Sequence, residues 1–151
     1  SKLGPSPMEM QRYLGKISGP LLDRIDIHIE VEAVPFEKLA DRTPAESSEA
    51  IRERVTVARV IQQKRFEELE NTHYNAQMSS RQIRKYCVLD AASTQLLKSA
   101  MERLSLSARA YDRILKVART IADLEGEDEV SQNHIAEAIQ YRSLDRDGWL
   151  G

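Results

Sequence analysis

Leu-Ser-Ala-Arg-Ala-Tyr-Asp-Arg-Ile-Leu-Lys-Val-Ala-Arg-Thr-Ile-Ala-Asp-Leu-Glu-Gly, residues 106 to 126, is the stretch that decides the fold. Its apolar residues Tyr111, Ile114, Leu115, Ala118, Ile121 and Ala122 recur at the helical period, whereas a strand would alternate every second residue. Ser107 stands where an N-cap belongs, Leu106 is placed to staple to Tyr111, and Gly126 suits the left-handed C-terminal position. A helix with so wide an apolar face needs other helices to cover it.

Working outward, those helices are legible. Downstream, Val130 staples to Ile135 across Ser131, and Ile135, Ala138 and Ile139 form the buried stripe of a last helix ending near Arg142. Upstream, Asp90 starts a helix burying Leu97, Ala100, Met101 and Leu104. Ser79 with Gln82 caps a short helix, with Met78 and Ile83 as its staple. A long helix reaches to about Leu69 along Ile51, Val55, Ala58, Ile61 or Gln62, Phe66 and Leu69; Thr43 to Glu46 offers it a capping box, and Ser47 is a competing start. At the front, Ser6, Pro7 and Glu9 cap a first helix predicted to run to about Ser18 and to stop at Gly19-Pro20. Residues 25 to 32, Ile-Asp-Ile-His-Ile-Glu-Val-Glu, alternate strictly and predict a half-buried strand. A lone strand leaves its backbone groups unpaired, so its partners must come from a second copy or from sequence preceding residue 1. The chain does not begin with methionine, which favours the second and leads us to expect a piece of a longer protein.

The expected fold is therefore mainly α: a helical bundle preceded by a helix-turn-strand remnant. The boundaries are 1–35 for the remnant, 36–46 for a linker, 47–142 for the helical domain and 143–151 for a polar tail.

A composition of 41% hydrophobic, 30% charged and 5% aromatic residues fits a helix-rich globular chain. The formal net charge of -2 provides no global attraction to nucleic acid or anionic membrane. No apolar run approaches the roughly 20 residues needed to cross a bilayer, so no membrane role is expected. The single cysteine, Cys87, cannot form an intrachain disulfide, which favours a reducing, cytoplasmic location, and it reads as a core thiol.

Two arginines stand in settings suited to phosphate. In Ser18-Gly19-Pro20-Leu21-Leu22-Asp23-Arg24, a breaker pair and two anchoring leucines deliver Arg24 to the start of the expected strand, and a rigidly held guanidinium matches phosphate oxygens. The competing reading pairs Arg24 with Asp23 or Asp26 at the surface, where ion pairs contribute about 0–1 kcal/mol. Arg109 falls in the first turn of the helix capped by Ser107. A cation there opposes the helix dipole, yet free N–H groups and an added arginine make an anion site. The competing reading has Asp112 neutralise it.

Taken together, RYLGKISGPLLDRIDIHIEV (12–31), LSARAYDRILKVARTIADLEG (106–126) and HIAEAIQYRSLDR (134–146) closely resemble the C-terminal part of magnesium-chelatase-related AAA+ ATPases, in their ComM/YifB-like competence branch. The resemblance implies that residues 1–35 end an α/β AAA+ core and that 47–142 are its helical lid. It implies Arg24 as the arginine finger reaching ATP on a neighbouring subunit, and Arg109 as the sensor 2 arginine. It further implies ATP and Mg²⁺ as cofactors of the full-length protein, a homo-oligomeric ring of hexameric size as its setting, and remodelling of DNA during transformation and recombination as its work. The alternatives are the ATPase subunit of a porphyrin magnesium chelatase, or a helical interaction module without a nucleotide role. The chain departs from the family in lacking G-x-x-x-x-G-K-[ST] and an apolar strand ending in paired acids, so alone it is expected neither to hold nucleotide stably nor to hydrolyse it.

Other residues point elsewhere only weakly. His28, His73 and His134 lack metal-ligand spacing and read as surface or strand-face histidines, so no metal is assigned. Asp123, Glu125, Glu127, Asp128 and Glu129 read as a solvated turn. Arg52, Arg54, Arg59, Lys64, Arg65, Arg81, Arg84 and Lys85 line a possible DNA-facing surface, but interleaved glutamates favour an ordinary solvated face.

Overall fold

The structure is a computed structural model describing residues 6–142, so the expected polar tail at 143–151 lies outside the described residues. The described elements are helices α1 (Pro7–Leu14), α2 (Gly19–Arg24), α3 (Phe36–Ala40), α4 (Ser48–Arg65), α5 (Ser80–Tyr86), α6 (Ala91–Arg103), α7 (Ala108–Glu125) and α8 (Gln132–Gln140), with a 3₁₀ turn at Asn75–Gln77.

Helix α7 is the axis of the bundle, packing against α8, α4, α5, α2 and the 3₁₀ turn, while α6 covers α8. Its buried residues Ala110, Ile114, Leu115, Ala118, Ile121 and Ala122 face a core completed by Phe66, Met78, Ile83, Leu97, Val130, Ile135 and Ala138. Both ends are capped as the sequence demands. The Ser107 hydroxyl accepts from the Ala110 N–H at 3.1 Å. Gly126 takes φ 73°, its N–H donates to Asp123 O, and the Glu127 N–H reaches Ala122 O at 2.9 Å, the paired bonds of a Schellman turn. The staples Met78 with Ile83 and Val130 with Ile135 bring buried residues to each entry.

The N-terminal third departs from expectation. Helix α1 ends at Leu14, and Gly19-Pro20 opens α2 instead of closing α1. Ser18 is the N-cap of α2, its hydroxyl accepting from the Leu21 N–H, and proline in a first turn has no N–H to leave unsatisfied. Among the described residues no strand forms over 25–32; His28 and Arg142 make one parallel bridge, the His28 N–H donating to Tyr141 O at 2.5 Å. The alternation does not produce a buried face, since Asp26, Glu30 and Glu32 are exposed as well as the apolar residues. His28 is buried while Ile25, Ile27, Ile29 and Val31 are exposed, because the described residues supply neither a ladder nor a sheet to cover the isoleucines.

The expected linker 36–46 contains α3, and α4 starts from Ser47, the competing cap, and ends at Arg65 rather than near Leu69. Thr43 is committed elsewhere: its N–H and hydroxyl both donate to the Asp41 carboxylate, at 2.9 and 2.6 Å. On α4 the stripe is buried at Ala58 and Gln62 and continues to Phe66, but Ile51 and Val55 lie near its exposed start.

Candidate functional site

Arg24 closes α2, and its position is set by what grips the backbone around it. Leu22 is buried and anchors the turn, whereas Leu21, expected to share that task, is half exposed. The last turn of a helix leaves carbonyls without partners. Here they are taken by arginines from the helical domain. Arg113 on α7 donates from Nε to Asp23 O at 2.7 Å and from a terminal nitrogen to the Asp26 carboxylate. Arg142, just past α8, donates to Leu22 O at 3.1 Å and to Ile25 O. The His28 Nε2 lies 3.1 Å from Leu22 O.

Arg109 lies in the first turn of α7, one helical turn before Arg113, and is exposed. Two of the surface partners anticipated for these arginines, Asp26 and Asp112, are engaged by other groups. Asp26 pairs with Arg113, and Asp112 accepts from the Ser80 hydroxyl at 2.8 Å. Among the described residues neither Arg24 nor Arg109 makes an ion pair. The fold thus brings the Arg24 turn onto the helix that carries Arg109 and leaves both guanidinium groups open to an anion. They can supply two contacts to phosphate oxygens. Among the described residues no group of three or more His, Cys, Asp or Glu side chains could hold a metal ion.

Sequence reasoning missed a second constellation. Asp123, expected in a solvated turn, has no solvent exposure, and its carboxylate accepts from both terminal nitrogens of Arg65, at 2.7 and 2.5 Å. It also accepts from Asn75 Nδ2 at 2.8 Å and from Arg119 Nε at 3.2 Å. Arg119 in turn donates to the carbonyls of Glu127 and Asp128, and Gln62 accepts the Asn75 N–H. Two guanidinium groups and one carboxylate leave an excess positive charge, which the carbonyl dipoles of the 127–128 turn offset. The cluster joins α4, the 3₁₀ turn, α7 and the turn after it, so Arg65 belongs to the interior and not to a basic surface. The signal available was the i, i+4 pair Arg119 and Asp123 on the apolar side of α7.

Two histidines are also inside. His28 and His134 are buried, where surface or strand-face positions were expected, and only His73 is exposed. His134 Nδ1 accepts from the Ser131 N–H at 3.0 Å, which puts its proton on Nε2, and Nε2 donates to Glu125 at 2.7 Å. Cys87 is buried, and burial pushes its thiol up to about 11.

The fold defines the class as a mainly α-helical bundle in which Arg24 and Arg109 are both exposed. By comparison with known proteins, the chain belongs to the family described as magnesium chelatase, subunit ChlI C-terminal, whose model matches residues 45–142. A companion model, magnesium chelatase, subunit ChlI, matches residues 2–39. The chain is 43% identical over 144 residues to the competence protein ComM of Haemophilus influenzae, covering 93% of this chain and 27% of that protein. It is 40% identical over 142 residues to the protein YifB of Escherichia coli, with 93% and 27% covered, and 33% identical over 132 residues to a protein of Mycobacterium bovis, with 87% and 26% covered. The chain thus spans about a quarter of the length of these curated relatives. Among the described residues no helix is long and apolar enough to cross a membrane.

Proposed function

We propose that this chain supplies the helical lid and two phosphate-contacting arginines of an ATP-driven AAA+ motor. The observation that carries the reading is that Arg24 and Arg109 are both exposed and make no ion pair, while Asp26 and Asp112 are held by other groups. In this reading Arg24 is the arginine finger, acting on ATP held by a neighbouring subunit of a homo-oligomeric, hexameric ring, and Arg109 is the sensor 2 arginine. ATP and Mg²⁺ are held by the part of the protein that carries the phosphate loop and the paired acids. Bound there, ATP supplies the phosphoryl group whose transfer drives the motor. Charge accumulates on the transferring oxygens, and a pre-placed guanidinium stabilises it without reorganisation. Such fingers contribute about 10³ to 10⁵ in rate. The similarity to a competence protein supports DNA as the substrate and the cytoplasm as the location.

The test is steady-state ATPase activity of the full-length protein. Arg24→Ala and Arg109→Ala are each expected to lose at least about 100-fold in kcat. Mixing Arg24→Ala subunits with a phosphate-loop lysine variant should restore part of the activity, since each supplies what the other lacks. Wild-type turnover by both arginine variants would remove the motor assignment. The family description favours one second reading, the ATPase subunit of a porphyrin magnesium chelatase. Stimulation of turnover by a porphyrin-loaded partner subunit, without response to DNA, would select it.

A further inference from the structure

We propose that Arg113 and Arg142 are positioning residues: they fasten the Arg24 turn to the helical domain, so that the orientation of Arg24 is set by α7, the helix bearing Arg109. The proposal rests on the reading of Arg24 as a phosphate-contacting group. Its ground is the hydrogen bonding of residues 22–28. Helix α2 has six residues, too few for a stable orientation of its own, so what holds its C-terminus decides where Arg24 points. The carbonyls of Leu22, Asp23 and Ile25 flank Arg24 on both sides, and all three accept from arginines far along the chain. Arg113 holds Asp23 O and the Asp26 carboxylate together; Arg142 holds Leu22 O and Ile25 O together. Each guanidinium thus spans two acceptors on one turn from separate nitrogens of a rigid planar fork, a geometry that lysine, with all three donors on one nitrogen, does not reproduce. The His28 N–H on Tyr141 O completes the attachment. Arg142 is buried and Arg113 is partly buried, so neither is a casual surface contact. Among the described residues, α7 is the main helix on which α2 packs. A movement of α7 therefore carries Arg24 with it.

The experiment has two arms. Amide hydrogen exchange on the chain compares peptides covering 22–28 with peptides covering α7, in wild type and Arg113→Ala. Exchange over 22–28 should rise at least about tenfold while α7 keeps its protection. In the full-length protein Arg113→Ala should lower kcat about 10- to 100-fold, with KM for ATP held within about twofold, as expected for a displaced rather than a missing group. In an Arg24→Lys background, which retains a cation, Arg113→Ala should cost much less than it does alone. Unchanged exchange over 22–28, wild-type turnover of Arg113→Ala, or losses that simply multiply would each overturn the proposal. Should Arg113→Ala loosen α7 as well, Arg113→Lys is the second variant, expected to free 22–28 partially with α7 intact; no change there also overturns it. If Arg24→Ala itself turns over like wild type, the assignment of Arg24 fails, and the exchange arm still decides whether the fastening exists.

Discussion

Asp123 carries its charge where solvent does not reach, and it is tolerable only because four donors from Arg65, Asn75 and Arg119 converge on one carboxylate. Removing the carboxylate leaves two guanidinium groups without their counter-charge, one of them almost fully buried. Asp123→Ala should therefore lower stability by about 3–5 kcal/mol, checked by urea denaturation of the chain. A loss under about 1 kcal/mol would mean that solvent replaces the missing oxygens. Cys87 is the opposite case, a neutral group whose ionisation burial opposes. Its thiol titrates at about 11 in the fold against an ordinary value of 9.0. Below 9 the thiol is protonated in both states and contributes no slope. Between about 9 and 11 the unfolded chain gives up its proton first, so stability should fall with rising pH in that window, and Cys87→Ala should abolish that part of the slope. The same burial should make Cys87 at least about 100-fold slower to alkylate at pH 8 in the native chain than in urea.

At the scale of elements, α7 depends on its two ends. Gly126 sits at φ 73°, and a Cβ built there meets nothing within 4 Å, so Gly126→Ala carries only the backbone cost of the left-handed conformation. That should be about 1 kcal/mol, and Ser107→Ala should cost about 1 kcal/mol through the lost cap on Ala110. Both are read from denaturation midpoints at constant m-value. Helix α7 could be read from sequence because period, cap and C-terminal glycine agree, and α5 and α6 because an N-cap precedes apolar residues at helical spacing. The ends of α1 and α2 could not. Gly19-Pro20 is compatible with stopping one helix or starting the next, and only Ser18 capping Leu21 in space distinguishes them.

At the scale of the whole molecule, the core gathers around α7, and α1 buries no residue. Deleting residues 1–17 should shift the calorimetric melting temperature by less than about 2 °C. Deleting residues 1–28 also removes buried Leu22 and His28 and the carbonyls that Arg113 and Arg142 grip, and should lower the melt by about 5 °C or more. Equal melting of the two truncations would show that the N-terminal third contributes nothing to the helical domain. The exposed apolar residues of 25–39, from Ile25 through Val31 to Phe36 and Leu39, have no cover among the described residues, and the strand expected there lacks the ladder that would make it one.

The sequence by itself determined the helical class, the caps of the later helices, the apolar stripe of α7 and the two candidate arginines, because each is written in spacing within one turn or in residue type at a chain reversal. Only the tertiary structure decided that Asp123 is buried with Arg65 and Arg119, that His28 turns inward, and that Arg113 and Arg142 hold the Arg24 turn. Those outcomes depend on partners up to 120 residues apart. A charged side chain reads the same in sequence whether solvent or a distant guanidinium satisfies it, and only the packed fold says which.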